Sequence, residues 1–205
     1  MKILNLSIDK SIFDNTSATA ERIVAYSELT EKYTVVAPNV KNQKISLSYR
    51  ANVHGVGGSS KIFQFFNIYK FTSQLLSKER YDLITVQDQY YLAGLGLLLA
   101  RKYKIGLEIQ VHGIEKYGGL RKIVAHYILP RADTVRTVSS RLKKYLLDAG
   151  VNESKITVVP VYAGEIEIAN NKEYKLKNPA VILTICRLVP IKNIELQLKS
   201  LADLS

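Results

Sequence analysis

The sequence predicts a doubly wound α/β fold, a parallel sheet with helices packed on both faces. Three observations carry this expectation. Short apolar segments such as Asp82–Val86 (DLITV) and Thr134–Val138 (TVRTV) have the length and β-branched content of buried strands. Helical stretches of ten or more residues separate them, and parallel strands need crossovers of that length. Start and stop signals also sit at the joints, with Ser139 as N-cap before a helix over 140–149 and Gly150 closing it.

Lys2–Ser7 (KILNLS) opens as a strand, and a helical pattern over Thr19–Glu31 follows, with Ile23, Val24, Ser27 and Leu29 marking its inner side. Tyr33–Ala37 (YTVVA) is the second strand, closed by Pro38. DLITV then precedes a helix over Tyr91–Tyr103 that contains the apolar run Leu92–Ala100. That run is about half of what a bilayer crossing needs, so it reads as a buried helix. Gly106–Val111 (GLEIQV) is a strand before a helix ending ahead of Pro130, and Ile156–Val159 (ITVV) follows the helix at 140–149. The reading gives three parts: a domain over 1–160, a polar linker over 161–179, and a strand, loop and helix over 180–205. The last part is too small to enclose a core.

Composition narrows the class. The chain has 205 residues, is 47% hydrophobic and 23% charged, and has the makeup of a folded globular protein. One cysteine, Cys186, forms no internal disulfide, and MKILNLSIDK lacks a secretory apolar run, which together place the protein in the cytoplasm. A net charge of +11 favours polyanionic partners such as phosphates, nucleic acid or an anionic membrane. Between Lys116 and Lys144 eight Lys and Arg face only Asp133. Lys61–Arg80 joins five aromatic side chains to basic ends and reads either as a core helix or as a membrane-surface helix. With no base-reading helix and no stacking motif, charge is the sole support for nucleic acid, which is not expected as a partner.

Ligands of doubly wound sheets bind past the carboxyl ends of the strands. His112 and Gly113 end GLEIQV, where a histidine can bond a sugar hydroxyl or serve structure alone, and a glycine admits a close ligand. Arg187 and Lys192 flank the loop before the last helix, whose free N–H groups favour an anion, although taken alone they read first as solvated surface charges. The loop Asp9–Ala18 ends in an N-cap at Thr16 or Ser17. Strand-end loops thus supply Ser17, Thr19, Asp88 and Gly113 as further candidate substrate contacts. Gly55–Ser60 matches no phosphate-loop spacing and reads as a turn. The three histidines and the cysteine lack metal-ligand spacing, and no G-x-S-x-G elbow occurs.

Three stretches in order, Tyr81–Glu115 with its HG turn, Arg131–Val161 (RADTVRTVSS…GVNESKITVVPV) and Val181–Asn193 (VILTICRLVPIKN), resemble the GT-B glycosyltransferases of family 4. The resemblance implies two Rossmann-like domains, the first holding the acceptor and the second the sugar nucleotide. It implies that His112 contacts the transferred sugar as the catalytic residue and that Arg187 and Lys192 hold the departing diphosphate without a metal or other cofactor. The expected activity is retaining transfer of a hexose from a UDP- or GDP-sugar to a polysaccharide or lipid-linked acceptor at the inner face of the membrane. A sugar-nucleotide epimerase and a non-catalytic basic membrane-binding module are the alternatives. Three departures stand against the pattern: Ala18-Thr19 replaces the Gly-Gly of the first loop, Cys186 replaces a glycine, and the E-x7-E element is not reached. The second domain is therefore expected to be truncated and the 205 residues to show little transfer alone.

Overall fold

Strand β1, Lys2–Leu6, runs through the middle of an eight-stranded sheet. Its neighbours are β2 (Lys32–Pro38) on one side and β5 (Leu83–Val86) on the other, both parallel to it. Beyond β2 lie β4 (Ala51–Val56) and the edge strand β3 (Gln43–Ser46). Beyond β5 lie β6 (Gly106–Val111), β7 (Thr134–Thr137) and β8 (Ile156–Val158), giving the order β3-β4-β2-β1-β5-β6-β7-β8. Only β3 pairs antiparallel. The computed structural model describes residues 1–113, 118–161, 181–186 and 188–202. It divides into two compact units, Met1–Tyr162 and Ala163–Ser205.

Five helices cross between the strands of the first unit: α1 (Ala18–Glu28), α2 (Lys61–Lys78), α3 (Tyr91–Tyr103), α4 (Gly119–Ile128) and α5 (Ser140–Asp148). A right-handed crossover places the helix on one face when the chain moves left along the sheet and on the other when it moves right. Accordingly α1, which connects β1 to β2, packs Ile23 with Ile3, Val35, Ala37 and Val53. Helices α2 to α5 cover the opposite face, where Leu4, Leu6, Ile84, Val86, Leu107 and Ile109 form the main core with Leu95, Ile128 and Leu146. Ser139 caps α5, its Oγ accepting from Leu142 N, and Gly150 closes it at φ +84°.

The structure corrects the sequence reading in four places. The hairpin β3–β4 is an addition: β3 is a short polar edge, whereas β4 alternates Ala51 and Val53 with Asn52 and His54, a period-two pattern that the reading passed over. Gly55 and Val56 belong to β4, and the turn starts only at Gly57. Leu29 is 84% exposed, because α1 ends at Glu28 and Leu29 faces away from the core. Residues 181–186 form no strand, since a strand needs a neighbour to pair with and has none among the described residues. Their apolar side chains are exposed, and a 3₁₀ turn at Pro190–Lys192 leads into α6 (Ile194–Ala202). The linker over 161–179 lies, apart from Val161, outside the described residues.

Helix α3 meets the sheet at Gly96, where a Cβ would stand 2.7 Å from Val86 Cγ2 and 3.3 Å from Leu107 Cδ1. Gly96→Ala adds about 1 kcal/mol of helix propensity. Overpacking against a buried β-branched side chain costs about 1–3 kcal/mol. Urea unfolding of this variant is therefore expected to show a lower midpoint at unchanged slope, and an equal or higher midpoint would mean that the helix shifts freely on the sheet.

Candidate functional site

The strand order reverses between β1 and β5, because the chain leaves β1 leftward through α1 and returns rightward through α2. Loops at a reversal diverge and leave a crevice at the carboxyl ends of the strands. Here Ser7 Oγ donates to Gln87 Oε1 at 2.7 Å, joining the ends of β1 and β5. The same oxygen accepts from Asp9 N at 3.1 Å and so starts the first loop. Asp9 Oδ1 then accepts from Ser11 N and Oγ, and Oδ2 from Thr19 Oγ1. Desolvation works to raise the Asp9 pKa, but the bonds from Ser11 and Thr19 and nearby Arg22 hold it below the usual carboxylate value.

From this crevice a pocket of about 420 Å³ runs along the α1 side of the sheet, lined in part by Asn5, Thr19, Arg22, Gln110, His112 and Arg136. That volume lies within the range of small-molecule sites. Apolar side chains such as Ile12, Ile23 and Val35 make up much of the wall, and its polar groups are brought together by register. Asn5 and Ser7, Thr85 and Gln87, Glu108, Gln110 and His112, and Arg136 occupy alternate positions of four adjacent strands, and they share the face that α1 leaves open.

Gln110 is buried and its Nε2 donates to Thr85 Oγ1 at 2.8 Å. Its Oε1 is left 3.4 Å from His112 Nε2. A ring that carried its proton on Nε2 would donate to this oxygen and leave Nδ1 as an acceptor. Partial desolvation, then Arg136 and Arg22, lower the His112 pKa below the ordinary histidine value, so the ring is neutral at pH 7. Arg136 Nε lies 3.1 Å from Glu108 Oε1, which orients that guanidinium within the cleft wall. Deeper in, Asn5 Nδ2 donates to the Tyr33 hydroxyl at 3.0 Å, and burial pushes that hydroxyl's pKa up to about 12. Asn5 is buried, and its Oδ1 has no hydrogen-bond partner among the described residues. A buried acceptor left unpaired costs about 1–3 kcal/mol, which a ligand hydroxyl in this pocket would recover.

Of the residues singled out from the sequence, His112 and Thr19 line the pocket. Gly113 adjoins it, its carbonyl accepting from Gln89 Nε2 at 2.6 Å. Ser17 caps α1 through Ala20 N and donates to Ser11 O. Asp88 does not line the pocket; its Oδ2 accepts from Leu92 N at 2.8 Å in the first turn of α3. Burial raises the Asp88 pKa, against the backbone bonds and Arg121. Lys192 is exposed in the second unit, and Arg187 lies outside the described residues. Sequence reasoning missed Asn5, Gln110, Arg136 and Arg22. The signal for the first three was present, as polar residues at period two in strands otherwise apolar. Among the described residues no three His, Cys, Asp or Glu side chains gather as a metal site, and no helix is long and apolar enough to cross a membrane.

A sequence profile of Glycosyltransferase Family 4 matches residues 27–161, well over half of the chain. The chain belongs to this family. No curated protein matches it. Among solved structures, the first unit is similar to a sucrose-phosphate synthase from Thermosynechococcus elongatus, with TM-score 0.62 and 15% identity over 80% of this chain and 91% of that one. It is also similar to the UDP-GlcNAc 2-epimerase of Methanocaldococcus jannaschii, with TM-score 0.56 and 19% identity over 78% of this chain and 45% of that one. A third likeness is to the lipopolysaccharide outer core galactosyltransferase WaaB in its apo form, with TM-score 0.56 and 16% identity over 78% and 45%. The family 4 chain described here thus spans under half the length of the epimerase and the galactosyltransferase. Its fold is that of the N-terminal unit of a GT-B glycosyltransferase.

The histidines give the family 4 unit a defined acid response. His112 and His54 both have lowered pKa values, His54 through burial and then Lys44 and Lys32. The unfolded chain therefore binds protons first, and stability falls as pH drops from about 6.5 through the two folded-state values. Thermal melts between pH 7.5 and 5 are expected to show this decline, with a shallower slope in His112→Gln. A melting temperature that is flat across the window in the wild type would refute it.

Proposed function

We propose that the protein is the acceptor-side half of a retaining glycosyltransferase that moves a hexose from a UDP- or GDP-sugar to a polysaccharide or lipid-linked acceptor. The observation that carries this reading is the cleft at the strand reversal, whose lining joins His112 to Asn5, Gln110, Arg22 and Arg136, in a chain of Glycosyltransferase Family 4. A sugar offers many hydroxyls, each donor and acceptor, and the cleft offers the complement. Asn5 Oδ1 and His112 Nδ1 accept, and Arg22 and Arg136 donate. His112 contacts the transferred sugar, and a neutral ring there accepts a hydrogen bond from a hydroxyl without adding a third cation beside the two arginines.

Thr19 and Gly113 bound the substrate loops, while Ser17 and Asp88 set the helices behind them. Arg187 and Lys192, with the first turn of α6, hold the departing diphosphate, so that cations and a helix dipole replace a metal. A membrane acceptor places the protein at the inner face of the bilayer. A sugar-nucleotide epimerase is the second reading, favoured by the fold shared with the epimerase structure.

Acceptor binding can be read on this chain by saturation-transfer NMR with oligosaccharides, and transfer of labelled hexose on the chain joined to a donor-binding half. His112→Ala is expected to lower kcat about 100-fold or more while donor KM changes little. Undiminished transfer in that variant would remove His112 from its role. Acceptor-independent release of an epimerised sugar would replace the transferase by the epimerase.

A further inference from the structure

A second cavity lies on the face of the sheet opposite the cleft, and sugar transfer does not use it. Helix α2 packs against β2 and β4, and the sheet continues beyond it to the edge strand β3. Between the helix flank and the outer strands lies a groove of about 500 Å³, within the range of small-molecule sites. Lys44 of β3 stands opposite His54 of β4, and directly opposite residues share a face. Val36, the partner of His54 on β2, belongs to the core under α2, which puts all three on the α2 side. Asn67, Lys70, Phe71 and Gln74 of α2 follow at i, i+3, i+4 and i+7 and line the facing wall.

Hydrogen bonds and ring packing build this groove. Asn42 Oδ1 accepts from Gly57 N at 2.8 Å, and Asn67 Nδ2 donates to Gly57 O at 2.9 Å, so the residue after β4 ties the hairpin to the helix. The Phe71 ring packs on the His54 ring with centroids 5.1 Å apart and holds the imidazole in place. Burial, then Lys44 and Lys32, hold the His54 pKa below the ordinary histidine value. Positive charge thus prevails at the ring. Neither Lys44 nor Lys70 has an ion pair among the described residues, and none of the described residues lining the groove is Asp or Glu.

These groups select a ligand by charge and by shape. Two ammonium groups and an imidazole able to take a proton match a dianion better than a monoanion, and a phosphate monoester carries close to two charges at neutral pH. The Gln74 amide both donates and accepts, which suits hydroxyls, and the Phe71 ring offers a carbon skeleton an apolar surface. We propose that the groove between β3, β4 and α2 binds a small organic phosphate, with Lys44, Lys70 and His54 on the phosphate and Gln74 and Phe71 on the organic part. Such a site needs neither sugar donor nor acceptor, so it stands or falls apart from the glycosyltransferase reading.

The test is an NMR titration of the whole chain with glucose-6-phosphate, inorganic phosphate and glucose, read at the His54 ring resonances, which are identified by their loss in His54→Gln. Glucose-6-phosphate is expected to shift them saturably and more tightly than inorganic phosphate, and glucose is expected to leave them unmoved. Lys44→Gln with Lys70→Gln should weaken binding at least about tenfold, because each change removes a charged contact. Gln74→Ala should weaken glucose-6-phosphate about threefold and leave inorganic phosphate unchanged. Arg22→Gln, in the cleft, should not alter the His54 titration, which separates this groove from any anion held there. Circular dichroism checks that the variants remain folded. No saturable shift at His54, or a shift indifferent to the lysine pair, overturns the proposal. So does inorganic phosphate binding as tightly as glucose-6-phosphate, for that describes a general anion site with no place for an organic part.

Discussion

The molecule is organised by an asymmetry in its central strands. On β1, β5, β6 and β7, the face toward α2 to α5 carries Leu4, Leu6, Ile84, Val86, Leu107, Ile109 and Val135, whereas the other face adds Asn, Ser, Thr, Gln, Glu, His and Arg side chains to the apolar Ile3 and Leu83. Apolar area removed from water contributes roughly 25 cal/mol per Å², so the first face draws α2 to α5 onto it and fixes the crossovers. The polar side chains of the second cannot be buried under an apolar helix without stranding their donors and acceptors. The sheet is dry on one side, and on half of the other side it is open and polar.

The candidate site follows from that constraint. At the reversal between β1 and β5 the polar residues of four strands reach one edge, and they partner one another where they can. Thr85 holds Gln110, Gln110 meets His112, Glu108 orients Arg136, and Ser7 ties the ends of β1 and β5 together. What is left unpaired points to the ligand. Asn5 Oδ1 lacks a donor among the described residues while Arg22 and Arg136 bring positive charge, so hydroxyl-rich and anionic groups are the ones the cleft can accommodate.

Much of the scaffold was legible in the residues themselves. The apolar helix at Tyr91–Tyr103, the strand at Gly106–Val111 and the cap and stop of Ser139 and Gly150 stand in the structure where the pattern puts them. These signals are local: hydrophobic period, capping oxygen and positive φ act within a few residues. Strand β3 was not legible, because an edge strand is held by its neighbour's backbone while its own side chains stay polar. The apolar stretch 181–186 gave the opposite error, a strand-like sequence without a strand partner.

The sequence by itself determined most of the helices and strands of the first unit, their parallel winding, and His112 as a residue at a strand end. Tertiary structure alone decided that Asn5, Gln110, Arg22 and Arg136 share a cleft with it, and that Asp88 serves α3 instead. The reason is the same for each. Register and crossover hand bring together residues as far apart as Asn5 and Arg136, and no local period records which strands will be neighbours.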